Sequence, residues 1–194
     1  RSEYVKEHGF QVDSCDGSFH LYPVETYGDS RKMPKADVVL VGLKSINNHL
    51  LKEMLTPILK EDTVVVLIQN GIGLEEDLQK EFPHLYIVAG LAFICSNKIE
   101  PGHVVHQCYG SINFGNYSCP DERFHEIVKD FLKLPGVIVG IEGKAGDGQG
   151  FHAEDLVQPA VTGHDAFDAA IITDEGIGLT DQLVMDGTDG ADFL

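Results

Sequence analysis

The chain has 194 residues, 43% of them hydrophobic, so it is long and apolar enough to bury a globular core. Its formal net charge of −17 argues against nucleic acid or a membrane surface as a partner, because both attract a basic face. The four cysteines form no C-x-x-C pair, and the sequence shows no signal peptide or long apolar span. We therefore expect reduced thiols and a cytoplasmic location.

The first thirty residues predict a short helix followed by a β-hairpin. Ser2 can cap a helix that Gly9 ends. Residues 10–12 and 18–22 have the character of two short strands, and Asp16-Gly17 between them is a strong hairpin turn signal. We interpret this hairpin as an addition to the main sheet.

The next stretch predicts a β-α-β unit. Residues 37–43 (DVVLVGL) and 63–68 (TVVVLI) are continuous apolar runs, which is typical of parallel strands covered on both faces. Residues 46–59 between them carry apolar side chains at helical spacing. We therefore predict an α/β fold with a Rossmann-type parallel sheet, flanking helices and a right-handed crossover.

Polar residues follow both of these strands directly. Lys44 stands after the first, and Asn70 with Gly71 stands after the second. Carboxyl ends of parallel strands meet at one sheet edge, where open α/β sheets bind ligands, so we predict that Lys44 and Asn70 converge there. Two plainer interpretations remain open, namely a solvated surface lysine and a turn asparagine before a glycine.

The turn after Asn70 is a weak match to a dinucleotide fingerprint. Gly71 and Gly73 are present, but Glu76 stands where G-x-G-x-x-G requires its third glycine. Acidic residues at the start of the following helix would also repel a phosphate. We interpret the turn as presenting Asn70 rather than cradling a pyrophosphate.

The rest of the folded region predicts a helix over residues 74–82, a buried strand over 85–94 and a loop over 96–102. An antiparallel strand pair follows, formed by residues 103–107 and 111–114. A helix from Pro120 and a last strand over residues 137–141 complete this region. Tyr109-Gly110 is assigned as the turn of the strand pair. His103 and His106 lie three apart in a strand and point to opposite faces, so we expect no metal between them.

The composition changes after residue 142. From Ala145 onward there is no Lys or Arg, while Asp and Gly accumulate. A calcium loop within residues 186–192 lacks the EF-hand spacing. We therefore divide the chain into a partial Rossmann-type domain, residues 1–142, and an acidic tail, residues 143–194, that is disordered or a non-native continuation.

Four segments together resemble the 2-dehydropantoate 2-reductases, or ketopantoate reductases, over about residues 1–140: RSEYVKEHG, DVVLVGLKSINNHLL, VVLIQNGIGLEE and PGHVVH. The resemblance implies NADPH-dependent reduction of a small 2-oxo acid, ketopantoate, to its 2-hydroxy acid in pantothenate and coenzyme A synthesis. Arg1 matches an arginine that holds the cofactor's 2′-phosphate. Lys44, Asn70 and Gly71 match the lining of the cofactor and substrate cleft, where Asn70 positions the reacting groups.

Two parts of that family pattern have no match in this sequence: the first strand with its glycine-rich loop, and the helical domain whose lysine acts as general acid. We therefore expect a truncated or chimeric chain that is inactive alone. Residues 37–43 should then lack the strand next to them on the inner side of the sheet. The unpaired backbone groups at such an edge favour association into homo-oligomers. The alternative function is a non-catalytic nucleotide-binding or regulatory protein whose acidic tail binds a basic partner.

Overall fold

The computed structural model describes residues 2–133, 138–142, 169–173 and 176–180. Within that part of the chain, helices α1–α4 are Ser2–His8, Leu51–Leu55, Leu74–Glu81 and Asp121–Phe131, and 3₁₀ helices cover Ser30–Lys32 and Ser45–Leu50. Strands β1–β10 are Phe10–Ser14, Phe19–Leu21, Glu25–Tyr27, Ala36–Val41, Leu59–Ile68, Tyr86–Glu100, His103–Asn116, Ile138–Glu142, Ala169–Thr173 and Gly176–Thr180. None of the described helices is both long and apolar enough to cross a membrane.

The described strands form one sheet in the order β2-β1-β7-β6-β5-β4-β9-β10-β3, and β8 pairs with β7. At its centre β4, β5 and β6 run parallel, with Val39 opposite Val65 and Val65 opposite Ile87. These strands are β-branched and apolar, as the sequence predicted for a sheet covered on both faces. The predicted α/β class, a mostly parallel sheet flanked by helices, is therefore confirmed.

Two apolar cores lie on opposite faces of the sheet. On one face, Val65 packs in a cluster with Leu55 of α2 and Leu78 of α3. On the other face, neighbouring Val64 packs in a cluster with Phe124 of α4. Both valines are fully buried, and burying such a side chain contributes roughly 1.5–3 kcal/mol. Side chains that alternate between the two faces of β5 thus pack against helices on both sides of the strand that leads into Asn70.

The helix predicted for residues 46–59 is much shorter in the structure. Ser45–Leu50 is a 3₁₀ helix, α2 covers only Leu51–Leu55, and Leu59 already belongs to β5. Pro57 explains the early end, because Thr56 N still donates to Lys52 O in helical backbone, whereas proline has no N–H to continue the hydrogen-bond series. The predicted helix was therefore wrong in length and in the type of its first turns.

The strand pair predicted around Tyr109-Gly110 is a single strand. β7 continues through both residues and pairs antiparallel with β6. β6 itself extends to Glu100, through residues where a loop was predicted. Tyr109 has φ 67° and the register shifts at Phe93/Ile94, so Tyr109 and Gly110 form a bulge rather than a turn. The turn lies instead at Pro101-Gly102, between the two strands.

Two short strands come from the predicted tail. β9 pairs parallel with β4, with Val39 opposite Ala170, and β10 pairs antiparallel with β9 and β3. The expected open edge beside residues 37–43 is therefore wrong, because composition hid a short β-branched run, AAIIT, among the acidic residues. The wider interpretation of residues 143–194 stays a prediction, since most of them lie outside the described part.

Candidate functional site

Lys44 and Asn70 leave the same edge of the sheet at equivalent positions. Val41 and Leu67 are partners in the β4/β5 register, and Lys44 and Asn70 each stand three residues beyond their strand's partner residue. This is the placement expected from two parallel strands. The structure therefore brings both residues to the predicted edge, while their roles in binding stay predictions.

Gln69 joins the two loops that carry these residues. Its amide Nε2 donates to the backbone oxygen of Leu43 and, over 2.7 Å, to Asn48 Oδ1. Asn48 Nδ2 in turn donates to Gln69 Oε1 over 3.2 Å. Since Leu43 and Gln69 immediately precede Lys44 and Asn70, this network fixes the spacing of the two loops. Both amides are partly shielded from water, which strengthens the bonds.

The sequence interpretation missed Gln69 and Asn48 as site residues. A polar residue at a strand's carboxyl end, directly before Asn-Gly, was a signal that pointed to Gln69. Nothing comparable pointed to Asn48, which reaches Gln69 only because residues 45–50 wind into a 3₁₀ helix.

The backbone around Lys44 and Asn70 explains how they are presented. Lys44 is the residue before the 3₁₀ helix, and its carbonyl accepts a hydrogen bond from Asn47 N over 2.8 Å. Gly71 has φ 150°, and Gly73 has φ 79° at the start of α3, both values that favour glycine. Asn70 is exposed, so this glycine turn holds its amide at the protein surface.

An ammonium and an amide at one edge suit a small anionic substrate. Lys44 offers a positive charge for a phosphate or carboxylate, and the Asn70 amide can donate to one oxygen and accept from a hydroxyl. The start of α3 carries Glu75, Glu76 and Asp77. These carboxylates disfavour a phosphate at that helix end.

Two other predicted positions have different outcomes. Arg1, the predicted ligand of a 2′-phosphate, lies outside the described residues; α1 begins at the next residue, Ser2. Gly71 lies in the turn beside Asn70, and its assignment to cofactor binding stays a prediction.

The two histidines of β7 have separate partners. His103 Nε2 lies 2.8 Å from Asp13 Oδ2, whereas His106 Nδ1 lies 2.9 Å from Ser14 Oγ. Hydrogen bonds from Gln11 and His103 hold the pKa of Asp13 below its usual value, and the bond to Asp13 raises the pKa of His103. The predicted absence of a metal shared by His103 and His106 stays an expectation. Each ring has its own hydrogen-bond partner, Asp13 for His103 and Ser14 for His106.

Comparison with known proteins assigns the first 118 residues. Residues 1–118, more than half of the chain, match the family model described as ketopantoate reductase PanE/ApbA. The 2-dehydropantoate 2-reductase of Nostoc sp. is 47% identical over 116 residues, which cover 60% of this chain and 36% of that protein.

Solved structures show the same likeness. The crystal structure of 2-dehydropantoate 2-reductase from Geobacter metallireducens is 35% identical with a TM-score of 0.67, covering 72% of this chain and 46% of that one. The enzyme of the same name from Methylococcus capsulatus is 27% identical with a TM-score of 0.57, covering 70% and 46%. The chain therefore spans less than half the length of these relatives.

Proposed function

The chain belongs to the ketopantoate reductase PanE/ApbA family, and on that premise we propose that its parent protein reduces ketopantoate to pantoate with NADPH. The observation that carries the proposal is the convergence of Lys44 and Asn70 at the carboxyl edge of β4 and β5. Both lie within the matched residues 1–118. The relatives that bear the name 2-dehydropantoate 2-reductase support this choice of substrate.

The proposed roles follow from the chemistry of a 2-oxo acid. Such a substrate presents a carboxylate next to a ketone, and reduction places negative charge on the ketone oxygen. NADPH, when bound, supplies the hydride. Lys44 attracts the carboxylate or a cofactor phosphate, and Asn70 orients the nicotinamide ribose or a substrate oxygen by hydrogen bonding. We assign no proton donor among residues 1–142.

The choice of NADPH over NADH is a further part of the proposal and rests on Arg1. A guanidinium meets phosphate oxygens through two parallel hydrogen bonds, which suits recognition of a 2′-phosphate. The family resemblance of residues 1–9, in which Arg1 matches the arginine with that role, supports this part of the proposal.

The test is an assay of the full-length parent with NADPH and a panel of 2-oxo acids that includes ketopantoate. We expect NADPH oxidation to be fastest with ketopantoate, and Lys44→Ala and Asn70→Ala to lower kcat/KM at least tenfold. Lys52→Ala is the matched control, because Lys52 pairs with Glu81 at an exposed position and should leave kcat/KM unchanged. No oxidation with any 2-oxo acid would contradict the reductase proposal.

A preference for another 2-oxo acid would support the reductase reaction but contradict ketopantoate as the substrate. The 194-residue chain alone should show no turnover, because neither the glycine-rich loop nor the general acid of the family pattern is matched in it. Turnover by this chain would mean that the catalytic groups are misassigned. The regulatory alternative draws on residues 143–194, and no contact among the described residues supports it.

A further inference from the structure

A second cluster of reactive side chains lies where β1 ends beside β7. Ser14 and His106 are partners in the parallel β1/β7 register, and Cys15 N donates to the backbone oxygen of His106 over 3.1 Å. The turn closed by Gly17 N and Ser14 O then brings Cys15 and Asp16 over the imidazole. The potential ligand atoms of Cys15, Asp16 and His106 all lie within 4.8 Å of one another.

The hydrogen bonding of His106 leaves one ring nitrogen with a lone pair facing this cluster. Its Nε2 lies 2.6 Å from the backbone oxygen of Tyr109, which can only accept, so Nε2 carries the proton. In the neutral ring Nδ1 is then an acceptor. A histidine that donates through one nitrogen to a carbonyl and keeps an acceptor lone pair on the other has the arrangement of metal-binding histidines, in which the carbonyl fixes tautomer and ring orientation.

We propose that Cys15 Sγ, Asp16 and His106 Nδ1 bind a zinc ion. His106 Nδ1 lies 3.9 Å from Cys15 Sγ and 3.9 Å from Asp16 Oδ2. Zinc bond lengths of about 2.0 Å to nitrogen or oxygen and 2.3 Å to sulfur, at tetrahedral angles, require separations of about 3.5 Å and 3.3 Å. For these two pairs the gap is a few tenths of an ångström; Cys15 Sγ and the Asp16 carboxylate lie within 4.8 Å of each other, so rotation of these two side chains has to bring them up to about 1 Å closer. Cys15 and Asp16 are exposed and free to rotate in this way.

The donor set selects the ion. A thiolate, a carboxylate and a neutral imidazole carry two negative charges, which balance a divalent cation. The thiolate and imidazole favour zinc over calcium or magnesium, which prefer oxygen. Water fills the fourth position because two of the three ligands face solvent.

Without metal, the Ser14 hydroxyl hydrogen-bonds to His106 Nδ1. Ser14 Oγ lies 2.9 Å from Nδ1 and accepts from Asp16 N over 3.1 Å. Zinc replaces the hydroxyl at Nδ1, while the bond from Asp16 N can remain. The bound ion links the turn after β1 to β7, so it stabilises the packing of the hairpin on the sheet. This inference does not depend on the proposed reductase function.

The experiment uses the 194-residue chain, reduced and stripped of metal. Cobalt is added first as a spectroscopic probe, and zinc binding is then measured by competition and by calorimetry. We expect one ion per chain, a thiolate-to-cobalt charge-transfer band and a rise in Tm with zinc. Cys15→Ser should abolish the band, and Asp16→Asn should weaken zinc at least tenfold. Both positions are exposed, so neither substitution endangers folding.

The controls separate this site from the other thiols. Cys95→Ser removes a thiol that bonds Gln107 and lies opposite Cys108, and it should leave the band and the affinity unchanged. His103→Gln should do the same. A band that survives Cys15→Ser, a band lost in Cys95→Ser, or no stoichiometric zinc binding would each overturn the proposal.

Discussion

Gln69 and Asn48 hydrogen-bond to each other through both of their amide groups, with distances of 2.7 and 3.2 Å. Gln69 also donates to the backbone oxygen of Leu43. Through these bonds the residue before Asn70 is tied to the residue before Lys44. Gln69 is not itself proposed to contact the substrate or the cofactor. Its expected function is to position the two loops that carry Lys44 and Asn70.

Replacing Gln69 should therefore affect catalysis as well as stability. Gln69→Leu leaves two acceptors and one amide donor without their partner, which costs about 1–3 kcal/mol of unfolding free energy. The loops that carry Lys44 and Asn70 should then separate, so kcat/KM of the full-length parent should fall at least tenfold. Urea unfolding and steady-state kinetics measure the two effects.

Gln79→Leu is the matched control for that substitution. Gln79 Nε2 also donates two hydrogen bonds, in this case to the backbone oxygens of Phe82 and Leu85 at the end of α3. It should lower the unfolding free energy by a similar amount and leave kcat/KM unchanged. Equal kinetic losses in both variants would contradict a positioning role for Gln69.

Gly9 should tolerate no side chain. It ends α1 with φ 75°, and an added Cβ would collide with the backbone oxygen of Leu21. Gly9→Ala should lower the unfolding free energy by more than the roughly 1–3 kcal/mol of left-handed strain alone. Gly17→Ala has φ 124° but open space around the new Cβ, so it carries only the strain. Thermal unfolding of both variants is the measurement, and an equal loss would contradict the collision.

The contact between His103 and Asp13 should make stability depend on pH. The bond to Asp13 raises the pKa of His103 above its ordinary value of 6.5, with a smaller contribution from Glu100. A group whose folded pKa is raised stabilises fully below its unfolded pKa, and this contribution is lost as pH rises through the folded pKa. Stability should therefore fall as pH increases above about 6.5.

Urea unfolding at a series of pH values, with a chelator present, tests this dependence. His103→Gln cannot titrate and should remove this component of the slope. Asp13→Asn should bring the pKa of His103, measured by NMR, down towards 6.5. An unchanged slope in His103→Gln would assign the pH dependence to other groups.

The sequence predicted the sheet centre and the site edge for a physical reason. Unbroken β-branched runs are typical of parallel strands with two covered faces, and neighbouring parallel strands end at one edge, so Lys44 and Asn70 were expected to share it. The bulge at Tyr109-Gly110 was not predictable in this way, because the same dipeptide serves a turn or a bulge and pairing with β6 decides. The Gln69–Asn48 pair depends on side chains brought together by a 3₁₀ helix, which periodicity does not indicate.

The last prediction concerns cofactor choice. If Arg1 binds the 2′-phosphate, Arg1→Ala in the full-length parent should weaken NADPH far more than NADH, by roughly 2–3 kcal/mol for a lost charge-assisted bidentate contact. The reason is that NADH carries no 2′-phosphate for the guanidinium to meet. Arg31→Ala is the control, since that exposed arginine is held in a salt bridge to Asp29 at 2.7 Å and should change neither affinity. Titration of each variant with both cofactors measures the difference, and equal losses for NADPH and NADH would contradict the assignment of Arg1 to the 2′-phosphate.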